Sequence, residues 1–477
     1  MNIQKTTQGV LACLLAAGLA GCGSSSTPAP TQPNAQSGSL FLTGTDAPLP
    51  SIVSFQVQVT NVTLSNGGSS APVSILSAPQ TVDFARFNGL QTLLDFNAVP
   101  AGTYTTVNVA LANPVLAYLN TSVANTAPTI SDVSNPTLAN SNLTILLPNP
   151  ITVTAGQNIG LKMDFNLRNS IQVDATGQVT GLINPNIRFT ALTPNTPSAE
   201  IDEFNASVVS VDPSSSSFVV QGPHGRQYTI DTNSSTIFEN GDSLSSLVPN
   251  QTIVALSGQF QPSSQTLNAG DVAVLSQQGF YAGGLVTYVN PAAGPASSFQ
   301  MFVRGTLPTG TGITLGQLAN VQLTGTEKFY IFRRHSPFLQ FIFNPSMMIP
   351  GQHVTIGGPA SGAQNAQSLS TDRVVLHLGG FTGTVVPGSV DKSNGTFQLN
   401  ADGIKGVLFN GPVTVYMTSL TGFRYGFNGL SDLESAGSGN VRIVGFVLKS
   451  PTNGNPIILA RFVDNKSAAD SEDSQSN

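Results

Sequence analysis

Ile52-Val53-Ser54-Phe55-Gln56-Val57-Gln58-Val59-Thr60-Asn61-Val62-Thr63-Leu64 is the stretch that decides the fold. Phe55, Val57 and Val59 alternate with polar residues, as one face of a half-buried strand requires. The alternation then changes parity, because Val62 and Leu64 fall on the opposite count. Side chains repeat every two residues, so a straight strand would turn this second apolar set to solvent; one extra residue near Thr60-Asn61, a β-bulge, returns it to the core. The stretch therefore predicts a bulged strand in a sandwich.

Composition carries that reading to the whole chain. Charged residues make up 9% of the 477, too few for helices laced by surface ion pairs, and Gly, Ser, Thr, Asn and Val abound. An all-β protein is expected. The net charge is −6, and no basic run is longer than Arg333-Arg334, which excludes the electrostatic footprint of a nucleic-acid partner. Trp is absent, which weakens a sugar-binding reading built on aromatic platforms.

The N-terminus reads as an address. Lys5 precedes an apolar run over 10–20 that is too short to span a bilayer, and the run ends in Leu19-Ala20-Gly21-Cys22. Those four residues resemble the lipobox of bacterial lipoproteins. The resemblance implies cleavage before Cys22, attachment of diacylglycerol and palmitate there, and anchorage in the cell envelope, with the outer membrane the expected site. Residues 1–21 are then the signal peptide and 22–37 an uncharged, flexible tether. Cys13 leaves with the signal peptide and Cys22 is consumed by lipid, so disulfides, thiolate metal sites and cysteine nucleophiles are excluded from the mature chain.

A first folded unit is expected over 38–192. It holds Thr45-Asp46-Ala47-Pro48, the alternating strand above and the turn Pro100-Ala101-Gly102-Thr103-Tyr104; later come Leu161-Lys162-Met163-Asp164-Phe165 and Asn184-Pro185-Asn186-Ile187-Arg188. These elements resemble the bacterial family catalogued as domain of unknown function 4382. The resemblance implies an N-terminal β-sandwich, immunoglobulin- or transthyretin-like, and supplies no catalytic residues.

Beyond it the chain repeats. Phe204-Asn205-Ala206-Ser207-Val208-Val209 is echoed by Phe280-Tyr281-Ala282-Gly283-Gly284-Leu285-Val286 and by Phe381-Thr382-Gly383-Thr384-Val385-Val386. Likewise Leu247-Val248-Pro249-Asn250-Gln251-Thr252-Ile253 aligns with Met348-Ile349-Pro350-Gly351-Gln352-His353-Val354. The spacing is too long for a solenoid, so each unit must close a core of its own, and about three small β-barrel-like repeats are expected over 203–278, 279–379 and 380–465. The Pro-Gly-Gln-x-Val pattern resembles the family catalogued as domain of unknown function 5666. The acidic tail, 466–477, reads as disordered.

Chemistry is thinly written. His224, His335, His353 and His377 stand at no metal-ligand spacing, so neither a metal nor any other cofactor is expected. Glu200, Asp202 and Glu203 read as a solvated charge cluster between units rather than an acid–base pair. No catalytic residue is assigned. The remaining candidate is the run of Phe329, Tyr330, Phe332, Phe338, Phe341 and Phe343 around Arg333-Arg334, read as a long hairpin. Its residues are either core or an exposed tip, and as a tip Arg333, Arg334, Phe332 and Phe338 form a binding surface for an envelope protein, a glycan or lipid headgroups. The functional expectation is a lipid-anchored, non-catalytic binding or structural module, with a carboxylate-dependent hydrolase or a glycan-binding accessory protein as the alternatives.

Overall fold

The computed structural model describes residues 37–47, 52–66, 71–87, 90–120, 127–174, 179–308, 311–333, 342–359, 368–401, 409, 411–424, 426–435 and 440–465. Strands are their dominant regular structure, with only short helical turns between them. The first sheet runs Ile187–Leu192, Asn158–Asn166, Ser37–Ala47, Thr92–Pro100, with Ser37–Ala47 parallel to Asn158–Asn166. The second is built on Ile52–Ser65 paired antiparallel with Gly102–Asn120, to which Asn142–Val153 adds. Leu40, Leu42, Leu161, Met163 and Phe165 of the first sheet pack against Phe55, Val57, Val62 and Leu64 of the second. This is a β-sandwich, and Phe55, Phe84 and Phe165 meet ring to ring within it at 4.9–5.0 Å.

The bulge lies where the sequence requires it. Val59 pairs with Leu111 and Asn61 with the preceding Ala110, so Thr60 is the extra residue. Val57, Val59, Val62 and Leu64 are consequently all buried. The turn before Gly102–Asn120 is closed by the Tyr104 hydroxyl, which donates to the Pro100 carbonyl at 2.9 Å.

From Ile201 onward one strand plan recurs three times. In the first segment Ile201–Asp212, Ser217–Gln221 and Gln227–Asp231 form a meander; Ile253–Phe260 pairs with the first strand, and Leu267–Ser276 pairs with Ile253–Phe260. Leu267–Ser276 also runs parallel to Gln227–Asp231, which closes five strands into a barrel. In the third segment Gly379–Val385, Thr396–Ala401, Val413–Tyr416, Asn440–Lys449 and Pro456–Asn465 repeat every one of those pairings. In the second, the last strand is broken into Ser368–Ser370, parallel to Leu318–Gln322, and Arg373–His377, antiparallel to His353–Gly358.

The Pro-Asn-Gln and Pro-Gly-Gln turns have one physical role. Asn250 N–H donates to Val208 O and Val208 N–H to Thr252 O; Gly351 N–H donates to Val286 O and Val286 N–H to Gln352 O, all at 2.8–2.9 Å. Asn250 and Gly351 both take positive φ, +60° and +92°, where Asn and Gly are tolerated. Each turn thus latches onto the first strand of its own segment. The structural partner of Gln352 is Thr252 and not Gln251, one residue off the alignment read from sequence. Gln352 is fully buried, and its side chain also donates to Val447 O of the third segment at 3.1 Å.

The segments do not stand apart. In Ile253–Phe260, Val254 and Leu256 point into their own barrel while Ile253 and Ala255 pack with Tyr281, Leu307, Phe332 and Val375 of the second segment. In Asn440–Lys449, Ile443 and Val447 point inward while Val444, Phe446 and Leu448 join the core of the second segment. Both faces of these strands are buried, which explains the shortage of charge. The sandwich docks on the first segment through Phe260, stacked between Phe41 at 5.1 Å and Phe96 at 4.7 Å.

Candidate functional site

Where the sandwich meets the first two segments lies a partly open cavity of about 150 Å³. Its walls come from Arg86, Phe87 and Leu90 of the sandwich, Glu203, Asn205 and His224 of the first segment, and Tyr281, Arg304 and His353 of the second.

Glu203 anchors this junction. Its Oε2 lies 3.2 Å from His377 Nδ1, and its Oε1 accepts from Asn205 Nδ2 at 3.1 Å. Burial would raise the Glu203 carboxyl, but His377 and His353 beside it, with the Asn205 hydrogen bond, outweigh this and hold it well below the usual carboxylate range. His353 and His377 are direct cross-strand partners, their rings 5.2 Å apart. Asn205 Nδ2 also donates to the Tyr281 hydroxyl at 2.8 Å. Burial drives Tyr281 far up, with the Glu203 charge adding to it, so this hydroxyl keeps its proton.

The acidic run 200–203 is therefore a latch rather than a solvated cluster. Asp202 Oδ2 accepts from Gln91 N–H at 2.8 Å, and the carbonyls of Glu200 and Glu203 accept from the Gln91 and Thr92 side chains. Three side chains do form a carboxylate–imidazole–hydroxyl chain, since Thr355 Oγ1 lies 3.0 Å from His377 Nε2. Thr355 is fully buried and His377 is 1% exposed. A hydroxyl sealed in this way offers no attack on a substrate, and the chain reads as a buried tie between segments.

The aromatic candidate divides. Phe332 is fully buried, packed with Val375 and Leu307 and 5.5 Å from the His377 ring, so it is core and not an exposed tip. Lys328–Ile331 is no hairpin arm among the described residues; it pairs parallel with Arg373–His377. Arg333 is partly exposed, its N–H donating to the buried Glu239 at 2.9 Å and its Nη1 3.8 Å from the same carboxylate. Arg334 and Phe338 lie outside the described residues, as does Cys22. Among the described residues no group of three or more His, Cys, Asp or Glu is placed to hold a metal, and no helix is long and apolar enough to cross a membrane.

Arg86, Asn205 and Tyr281 escaped the sequence reading. His353 and His377 were judged by spacing along the chain, whereas strand register brings them together across 24 residues. The usable signal was the pair of apolar strands each carrying a single histidine.

Residues 37–183 match the family model described as Domain of unknown function (DUF4382). The match covers the sandwich but stops before Ile187–Leu192, the strand completing its first sheet. No curated protein matches the chain.

Proposed function

We propose that this chain is a lipid-anchored protein of the bacterial cell envelope, held by acyl chains on Cys22, whose sandwich and three barrel-like segments form a non-catalytic binding or structural module. One observation carries the non-catalytic reading: the carboxylate–imidazole–hydroxyl chain of Glu203, His377 and Thr355 ends in a fully buried hydroxyl and ties the first segment to the second. The anchor rests on Leu19-Ala20-Gly21-Cys22 and the uncharged tether that follows. Two acyl signals suffice for stable anchoring, each buried methylene contributing about 0.8 kcal/mol. The shared strand plan and the latched turns support reading the three segments as relatives of the domain of unknown function 5666. The outer membrane as destination, and Arg333-Arg334 as a contact with an envelope partner, belong to the same proposal.

Fatty-acid labelling and membrane fractionation in a bacterial host test the anchor. Wild type should label and sediment with membranes, and Cys22→Ser should do neither. Equal labelling of the two would overturn it.

A further inference from the structure

The cavity at the three-way junction is unusual in what its polar groups lack. Arg86, partly buried, has its guanidinium 5.0 Å over the Phe87 ring and makes only a long 3.5 Å contact from Nη1 to the Arg304 carbonyl. No carboxylate among the described residues lies within ion-pair distance of it. Asp83 sits behind, within electrostatic reach of Arg304 and Arg86, with its oxygens accepting from Ser54 Oγ at 3.1 Å and Phe55 N–H at 3.0 Å. Asn205 Oδ1 is buried with no donor among the described residues. The Asn205 amide cannot simply be reversed, because its nitrogen serves the Glu203 carboxylate, which only accepts. The Tyr281 hydroxyl accepts from Asn205, and its own proton reaches no acceptor among the described residues. His224 lines the cavity with no hydrogen-bond partner among the described residues; desolvation, and then the Arg86 charge, push its pKa down.

A cation outside any ion pair and a hydroxyl proton without an acceptor among the described residues, both lining one cavity, leave places that an anion and an acceptor would complete. Phe87, Leu90, Leu94, Phe204 and Leu307 give the cavity an apolar and aromatic side, and Gln91, Thr92, Arg226 and Arg304 add polar groups. An apolar cavity of about 150 Å³ takes up one benzene, so the space here admits one six-membered ring. We propose that the cavity binds a ring-sized hydroxy-carboxylate, its carboxylate on Arg86 and its hydroxyl accepting from the Tyr281 hydroxyl. Sugar acids and hydroxylated aromatic acids share this chemistry. The site deepens the binding reading proposed above and rests on it, but it is independent of the lipid anchor.

Isothermal titration of the full chain with glucuronate, its neutral methyl ester, 4-hydroxybenzoate and its methyl ester tests the assignment. At least one free acid should bind, with its ester weaker by about tenfold, the size of one charge-assisted hydrogen bond. Which acid binds separates the sugar source from the aromatic one. Arg86→Gln should erase the difference between acid and ester, and Tyr281→Phe, which keeps the ring over Gly283, should weaken both forms of the ligand severalfold. The acid–ester comparison uses wild-type protein, so it stands even if a variant fails to fold. Equal binding of acid and ester, or no binding of any of the four probes, overturns the proposal while leaving the anchor and the non-catalytic reading untouched.

Discussion

Glu203→Gln probes the junction with the smallest change of shape. The Glu203–His377 contact is 3.2 Å long between side chains 12% and 0% exposed. Removing one partner of such a buried pair costs about 3–5 kcal/mol when the charge left behind is fixed. Here the loss should be smaller. Glutamine still accepts from His377 Nδ1–H, and Asn205 can turn its amide to receive the new N–H group. We expect about 2 kcal/mol at neutral pH, read from urea titrations followed by tyrosine fluorescence, since the chain has no Trp. The pH dependence has a definite sign. The folded carboxyl is held below its ordinary value of 4.5, so its contribution is complete above that pH and is lost as pH falls toward the folded value. The gap between wild type and variant should therefore close progressively below pH 4.5. A variant within about 0.5 kcal/mol of wild type at neutral pH, or a gap that widens in acid, would refute the assignment of Glu203 as the junction's anchoring charge.

Phe260→Ala empties the stack between Phe41 and Phe96 and should cost about 3–5 kcal/mol, with hydrogen exchange rising at Phe96 and Leu192 before it rises in the third segment. Gln352→Leu removes the donor to Met347 O and Val447 O and the acceptor for Ile349 N–H; a loss of about 2–3 kcal/mol in chemical denaturation is expected, with exchange increased on both sides of the contact between the second and third segments. Gly160→Ala would set a methyl carbon 2.4 Å from the Phe41 ring and 2.8 Å from Leu192 Cβ. Because Phe41 is locked against Phe260, thermal unfolding should report a destabilisation of about 1–3 kcal/mol.

Local patterns were legible wherever a residue's role is set by its neighbours in sequence. The parity change after Val59 located the bulge at Thr60, because alternation and burial are one constraint seen twice. The turn ending at Tyr104 was visible, although only the structure supplies its reason, a hydroxyl closing on Pro100. The repeat was visible at its first strand and at its latched turn. A third echo passed unnoticed: Asp212 and Asp391 occupy equivalent hairpins, and each holds the turn with carboxylate hydrogen bonds to the backbone and hydroxyl two residues on, Ser214 and Ser393.

What the sequence concealed depends on pairing between distant segments. Nothing local reveals that His353 faces His377, that Glu203 reaches the second of them, or that Arg86 and Asn205 line one cavity. Phe332 misled because a buried aromatic and an exposed one read alike beside a basic turn; the inter-segment core that covers it draws its buried residues from five separate strands. The expectation that each unit closes its own core was incomplete for the same reason, since alternate residues of Ile253–Phe260 serve two cores at once.

The most direct test of a junction that binds without reacting is proton NMR of the full chain incubated with glucuronate, 4-hydroxybenzoate, their methyl esters and a phenyl glucuronide. Saturation transfer from protein to a free acid, with every compound recovered chemically unchanged after prolonged incubation, is the predicted result. Resonances of a cleaved ester or glycoside that vanish in His377→Gln would contradict it, because they would make the chain of Glu203, His377 and Thr355 a catalytic centre instead of a structural tie.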